Sequence, residues 1–131
     1  MAAVAKSGTP SLASVTNQVN SLAGLLAGEA IAAGDCCYIK GSDGKVYKSD
    51  GTASNAAAEV HGWAANAASI GEAVTLVWDV RIRYGAGLTP GTKLYVATTP
   101  GTLVDGATTG GTKPVGFVVD ATRIHVWQSR Y

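Results

Sequence analysis

The chain has 131 residues, about the length of one domain, which excludes a large multidomain enzyme. Its net charge is +1 and 15% of its residues are charged, so no broad electrostatic field is present to attract nucleic acid or an anionic membrane. Glycine occurs 17 times and phenylalanine once, which is typical of a chain with many tight turns and a thin core, and a thin core favours an oligomer.

Residues 1–27 form an N-terminal arm that precedes the repeated part of the chain. Its apolar residues recur at helical spacing, which favours a short helix, but its Thr, Asn, Ser and Val content is equally typical of an extended segment. We expect the arm to add little to the fold itself and to need a partner that covers its apolar side chains. These candidate contact residues are Leu12, Val15, Val19 and Leu22.

The beginning of the chain carries one lysine and no continuous apolar run of the kind found in a secretory signal. We therefore expect the mature chain to begin near Met1, in a reducing compartment. No apolar run in the sequence approaches the length needed to span a membrane.

Two cysteines, Cys36 and Cys37, are adjacent in the sequence. Neighbouring residues of a strand point to opposite faces, so a disulfide between them is geometrically poor and we expect two free thiols. The repeat described next aligns Cys37 with Leu94 and Cys36 with Lys93, which predicts that Cys37 is buried and Cys36 more exposed. No CxxC motif or Cys/His cluster indicates a metal site.

The sequence contains an internal repeat. The segment GEAIAAGDCCYI at 28–39 aligns without a gap with GAGLTPGTKLYV at 85–96, at an offset of 57 residues. The same offset places Gly44 on Gly101. We interpret the chain beyond the arm, residues 28–131, as one β domain of two pseudo-repeated halves, 28–84 and 85–131, with about four short strands in each.

Further matches extend the repeat towards the end of each half. HGWAA at 61–65 is similar to VGFVV at 115–119, which aligns Trp63 with Phe117. Each half then closes on a β-rich run that ends in tryptophan, VTLVW at 74–78 and RIHVW at 123–127. Because two of the tryptophans fall at matched places, we expect Trp63, Trp78 and Trp127 to lie in the core.

Short β-rich segments separated by SDG, TPG and GG turns are typical of an all-β sandwich or barrel, and this is the fold class that we predict. For the segment 55–69, alanine content alone also allows a helix, but its central Gly-Trp pair favours a strand. The predicted strands are 35–40, 45–48, 58–65, 72–83, 93–97, 102–104, 114–120 and 122–128.

A pair of arginines is the best sequence indication of a contact site within the β domain. Arg81 and Arg83 flank Ile82 and are followed by Tyr84. Two arginines on one face of a strand beside an aromatic side chain are typical of an interface hot spot, although a solvated edge strand has the same pattern. We therefore add Arg81, Arg83 and Tyr84 to the candidate contact residues.

No arrangement of side chains in the sequence predicts catalysis or cofactor binding. The segment GATTGGTK at 106–113 resembles a phosphate-binding loop, but Thr112 stands where lysine is required and Pro114 where a helix should begin. A glycine-rich hairpin loop is the better interpretation. His61 and His125 have no carboxylate or nucleophile in a pairing pattern. We expect a protein that is not an enzyme and binds no metal or cofactor.

Four motifs, in their order and spacing, carry a family resemblance: GEAIAAGD at 28–35, DGKVYKSDG at 43–51, GLTPGTKLY at 87–95 and TTGGTKPVGFVVD at 108–120. Together they resemble the small capsid cement or decoration proteins of tailed bacteriophages. The resemblance covers about residues 25–128, whereas residues 1–24 carry no matching motif.

The resemblance implies a compact β-barrel or β-sandwich protomer, usually a homotrimer, on the outer surface of the virion. Such a protein is made in the host bacterial cytoplasm, binds across neighbouring major capsid protein subunits after the capsid expands, and stabilises the shell. No catalytic residue, cofactor, nucleic acid or membrane is implied. The alternative is a receptor- or glycan-binding β module of a phage fibre or surface protein, which should carry an exposed aromatic platform.

Overall fold

The computed structural model describes residues 1–13 and 20–131. Over these ranges the fold is nearly all β, as the sequence predicts. One turn of 3-10 helix lies at Ala56–Ala58. The strands are β1 (Ala3–Val4), β2 (Ser11–Leu12), β3 (Asn20–Leu26), β4 (Cys36–Ile39), β5 (Val46–Lys48), β6 (Gly62–Ala64), β7 (Ala73–Trp78), β8 (Val80–Arg83), β9 (Lys93–Val96), β10 (Leu103–Val104), β11 (Gly116–Val118) and β12 (Arg123–Val126).

The strands form two antiparallel sheets that curl into a half-barrel. The order in the seven-stranded sheet is β1-β10-β9-β11-β12-β8-β2, and the order in the five-stranded sheet is β3-β7-β6-β4-β5. Each pseudo-repeated half supplies four neighbouring strands in the same order, β5-β4-β6-β7 in the first and β10-β9-β11-β12 in the second. The prediction of an all-β fold built from two pseudo-repeated halves is therefore confirmed.

The strand registers repeat as well as the strand order. Tyr38 pairs with Tyr47 in the first half, and Tyr95 pairs with Val104 in the second, which is the same pair moved by the offset found in the sequence. The glycine at the first turn has a positive φ in both halves, +85° at Gly34 and +83° at Gly91.

The predicted alignment of the closing tryptophans is wrong by one residue. Trp63 pairs with Val77, and its counterpart Phe117 pairs with His125. The counterpart of Val77 is therefore His125, and Trp127 has no tryptophan at its matched place.

Two predicted strand boundaries also require correction. The predicted strand 72–83 is divided into β7 and β8 at Asp79, whose φ of +53° turns the chain from the five-stranded into the seven-stranded sheet. The predicted strand 58–65 is shorter than expected, because the chain makes its 3-10 turn before β6 begins. The helix considered for 55–69 is limited to that single turn.

The described parts of the arm are extended and lie at sheet edges. β1 pairs with β10, β2 pairs with β8, and β3 pairs with β7. The helical alternative is wrong for these segments, while Val15 and Val19 lie outside the described residues. The arm also adds more to the fold than expected, because Lys6 forms an ion pair with the buried carboxylate of Asp35.

Buried side chains form two cores on opposite faces of the five-stranded sheet. The central core, between the two sheets, contains Cys36, Val60, Trp63, Val77, Val80, Ile82, Tyr84, Leu94, Val96, Leu103, Val115, Val118, Ile124 and Val126. The outer core, on the far face of the five-stranded sheet, contains Ala27, Ile31, Cys37, Val46, Ala64, Ala68, Val74 and Leu76.

The two halves stack in the same direction rather than face to face. Cys37, in the outer core, is the counterpart of Leu94, which lies in the central core. On its other face the first half places Trp63 in the central core, against the second half. The counterpart of Trp63 is Phe117, which is 40% exposed. The second half covers this face of the first half. The equivalent face of the second half lies at the surface.

We predict that Gly34→Ala destabilises the protein more than Gly91→Ala. Both glycines have a left-handed φ at matched places, so each substitution should cost about 1–2 kcal/mol in backbone strain. A Cβ on Gly34 would also lie 2.7 Å from Cβ of Pro10, whereas a Cβ on Gly91 meets nothing within 4 Å. Urea unfolding measures both free energies. Equal losses would contradict the packing of the arm against this turn.

Candidate functional site

The arm residues predicted to contact a partner lie at the sheet edges where they are described. Leu12 is on β2, opposite Ile82 of β8. Leu22 is on β3, opposite Leu76, and 41% of its surface is exposed.

Strand β3 is the longest of the four edge strands in the described sheets. β1 and β2 have two residues each and β5 has three, whereas β3 has seven, none of them charged. Leu22 and Leu26 are 41% and 47% exposed, and a bulge with Gly24 at φ +82° lies between them. A long, uncharged edge strand offers its free backbone groups and apolar side chains to another chain. We call Asn20–Leu26 the edge surface.

The three candidate residues near β8 do not share one face. Arg81 and Arg83 are exposed on the outer side of the seven-stranded sheet. Tyr84 is 1% exposed and belongs to the central core, so the contact role expected for it is corrected. The alternation along the strand explains its position, because Tyr84 is two residues beyond Ile82 and takes the same inward face.

The outer side of β8, β9, β11 and β12 carries a row of basic and aromatic side chains. In register across the four strands lie Lys93, Phe117, His125 and Arg81. Next to them on the same side are Arg83 and Trp127. We call these six residues the open face.

The aromatic side chains of the open face form one cluster. The ring centroids of Phe117 and His125 are 5.7 Å apart, those of Phe117 and Trp127 6.0 Å, and those of His125 and Trp127 6.3 Å. Nε1 of Trp127 donates to the carbonyl oxygen of Pro114 at 3.1 Å. The N–H group of this indole is therefore already hydrogen-bonded within the protein, and the face of the ring is the part that can contact a ligand.

No protein-family model matches the chain, and no curated protein matches it.

The prediction that all three tryptophans lie in the core is correct for one of them and wrong for the other two. Trp63 is fully buried, whereas Trp78 and Trp127 are half-buried. The sequence pattern alone did not reveal the aromatic cluster, because Phe117 and His125 meet only through the register of β11 with β12.

The glycine-rich segment 106–113 uses its backbone amides within the protein. The amide of Gly110 donates to the carbonyl oxygen of Gly51 at 2.8 Å, and the amide of Gly111 donates to Oγ1 of Thr108 at 2.8 Å. A phosphate-binding loop directs such amides at its ligand. The segment is therefore a packing loop. It is not the hairpin loop that the sequence predicts, because β10 and β11 each pair with β9 and not with one another.

His61 lies in an open groove with Glu59, Gln128, Ser129 and Arg130. Its Nδ1 accepts the amide hydrogen of Ile39 at 2.8 Å, which fixes the ring, and its Nε2 is 3.9 Å from the Glu59 carboxylate. The hydroxyl of Ser129 donates to the carbonyl oxygen of Arg130 instead of to the imidazole. The groove therefore lacks the paired nucleophile and base that acyl transfer requires.

Among residues 1–13 and 20–131, no group of three His, Cys, Asp or Glu side chains is arranged to hold a metal ion. None of the helical structure in the same ranges is long and apolar enough to cross a membrane.

The two cysteines are free thiols, as predicted, and both are fully buried. The greater exposure expected for Cys36 is wrong, because β4 is covered on both faces and Cys36 enters the central core while Cys37 enters the outer core. Burial raises the pKa of Cys36 from 9.0 to about 12 and raises that of Cys37 well above its ordinary value.

We predict that the free energy of unfolding falls as the pH rises above about 9. The thiols ionise near 9.0 when unfolded but stay protonated in the folded chain up to about 12 for Cys36, so the folded state holds more protons in this window. The loss should approach about 1.4 kcal/mol per pH unit for each thiol. Urea unfolding between pH 7.5 and 10.5 measures it.

A Cys36→Ala variant provides the control for the alkaline effect. It should be less stable than the parent at pH 7.5, because it leaves a small cavity, but its stability should fall less steeply with pH. Burial also raises the pKa of Tyr84, so part of the dependence persists above pH 10. Identical slopes in the parent and the variant would contradict the contribution of Cys36.

Proposed function

We propose that this chain is a capsid cement or decoration protein of a tailed bacteriophage. It binds the outer surface of the capsid across junctions between major capsid protein subunits and stabilises the assembled shell. A protein that binds only the assembled state lowers the free energy of that state by mass action and needs no catalytic group. The four ordered motifs within residues 25–128 support this function, and so does a fold of two pseudo-repeated β halves.

The edge surface is the observation that carries the proposal. Within this strand only Leu25 is half-buried, and the other six residues are exposed. Leaving apolar surface in water is unfavourable by about 25 cal/mol per Å². An extended segment of the capsid protein could add to β3 as a further strand, which pairs the free backbone groups and covers Leu22 and Leu26.

A homotrimer is part of the same proposal. Most homo-oligomers have closed symmetry, and the family resemblance favours three copies over two. Three copies of one weak contact act at high effective concentration, so a trimer would bind a capsid site of matching symmetry far more tightly than a single chain.

We predict that Leu22→Lys combined with Leu26→Lys weakens capsid binding by at least tenfold. Two charges on the edge strand oppose strand addition and remove the apolar contact. Co-sedimentation with expanded bacteriophage heads stripped of their decoration protein measures binding. These point substitutions are preferable to deletion of residues 1–24, which would remove β1, β2 and the Lys6–Asp35 ion pair.

The matched control for the edge surface is Ile70→Lys. Ile70 is 70% exposed and lies in a turn outside the strands, so it tests the same chemical change away from β3. It should bind the heads as the parent does. Equal binding by the edge variant and this control would remove β3 as the capsid contact, and failure of the parent to bind any such head would refute the proposed function.

We predict a solution mass near three times the 13.2 kDa of one chain. Size-exclusion chromatography with light scattering at micromolar concentration measures it. A monomer mass under these conditions would contradict the trimer while leaving the capsid-binding experiment unaffected.

A further inference from the structure

We propose that the open face binds an anionic polysaccharide, with sugar rings against Phe117 and Trp127 and carboxylate groups of the sugars paired with Lys93 and Arg83. This activity is separate from capsid attachment, because it uses the outer side of the seven-stranded sheet rather than the edge surface on the five-stranded sheet.

The stacking of the two halves explains why this face is available. Its counterpart in the first half contains Cys36, Trp63 and Val77, which the second half covers to form the central core. The same positions in the second half are Lys93, Phe117 and His125. The same face of the sheet is therefore packed in the first half and exposed in the second, where it carries charged and aromatic side chains.

Basic residues outnumber acidic residues on the outer side of the seven-stranded sheet. Strands β8, β9, β11 and β12 contain four basic residues and no acidic residue, in a chain whose net charge is only +1. One of the four, Arg123, is paired with Asp120 at 2.6 Å. Lys93 and Arg83 are exposed on either side of the aromatic cluster, where they can pair with anionic groups of a ligand.

The aromatic cluster offers ring surfaces rather than hydrogen-bonding edges. Phe117 is 40% exposed, and Nε1 of Trp127 is already bonded to Pro114. The basic and aromatic row crosses four strands, about 14 Å at the usual strand spacing. A pyranose ring has an apolar C–H side that can pack on such rings, while its carboxylate substituents reach the basic side chains.

The size of the apolar patch argues against a protein partner. A stable protein interface buries roughly 800 Å² on each side, and charged residues are depleted at its centre. On the open face only Phe117 is a well-exposed large apolar side chain, and basic residues lie directly beside it in register.

The arrangement of the rings argues against single-stranded nucleic acid. Proteins that bind such strands stack successive bases on aromatic side chains along a basic groove. Here the three rings lie within about 6 Å of one another and are tilted by 35° to 50°, so they form one contact patch rather than separate platforms.

Titration calorimetry of the full chain with polygalacturonate oligomers tests the proposal. We expect saturable binding that Phe117→Ala weakens about fivefold, that Phe117→Tyr preserves, and that Lys93→Gln combined with Arg83→Gln weakens at least tenfold. Neutral dextran should not bind. Ile70→Ala and Lys45→Gln, which change an exposed apolar residue and an exposed lysine elsewhere, should bind as the parent does.

Four results would overturn the proposal. The first is no binding of polygalacturonate by the parent chain. The second is equal binding of polyglutamate, and the third is binding that Phe117→Ala leaves unchanged while near-ultraviolet circular dichroism reports a native fold; in either case charge alone would explain the binding. The fourth is tighter binding of a thymidine 20-mer that Phe117→Ala abolishes, which would assign the face to nucleic acid. None of these results depends on whether the chain binds capsids.

Discussion

Cys36 and Cys37 are neighbours in the chain, yet their side chains enter two different cores. This is possible because β4 lies inside the five-stranded sheet and both faces of that sheet are covered. Space on both sides of the strand is limited, so small apolar side chains fit where large ones would not. Asp35 precedes this strand and is itself buried. Its carboxylate accepts a hydrogen bond from the backbone amide of Ala32 at 2.8 Å and forms an ion pair with Lys6.

The buried carboxylate of Asp35, just before β4, connects the arm to the rest of the fold. A buried carboxylate without a partner is strongly unfavourable, and removing one member of a buried ion pair commonly costs about 3–5 kcal/mol. The arm supplies that partner in Lys6 and packs Pro10 against Gly34, while β1 and β2 cap the two edges of the seven-stranded sheet. Residues 1–13 are therefore part of the domain in energetic terms, although they lie outside the repeat.

The sequence predicted those features that depend on local chemistry. Strand positions followed from β-rich segments between glycine turns, and the repeat followed from Gly34 and Gly91 standing at turns with the same left-handed backbone. The break at Asp79 was missed because a non-glycine residue there adopts a positive φ. The burial of Cys36 was missed because the repeat predicts only the environment within one half, whereas the central core forms between halves.

Stacking in one direction has a consequence for interaction that face-to-face packing would not have. When two equivalent units pack face to face, they bury equivalent surfaces and leave equivalent surfaces exposed. When they stack in the same direction, one unit loses a face that the other keeps, so the two halves can diverge in sequence at those positions. Trp63 and Phe117 illustrate the divergence, as do Cys36 and Lys93, because in each pair the first fills the central core and the second meets solvent. A chain of low overall charge can in this way concentrate basic and aromatic side chains on one sheet while the other sheet keeps an uncharged edge, and the two surfaces can serve different partners.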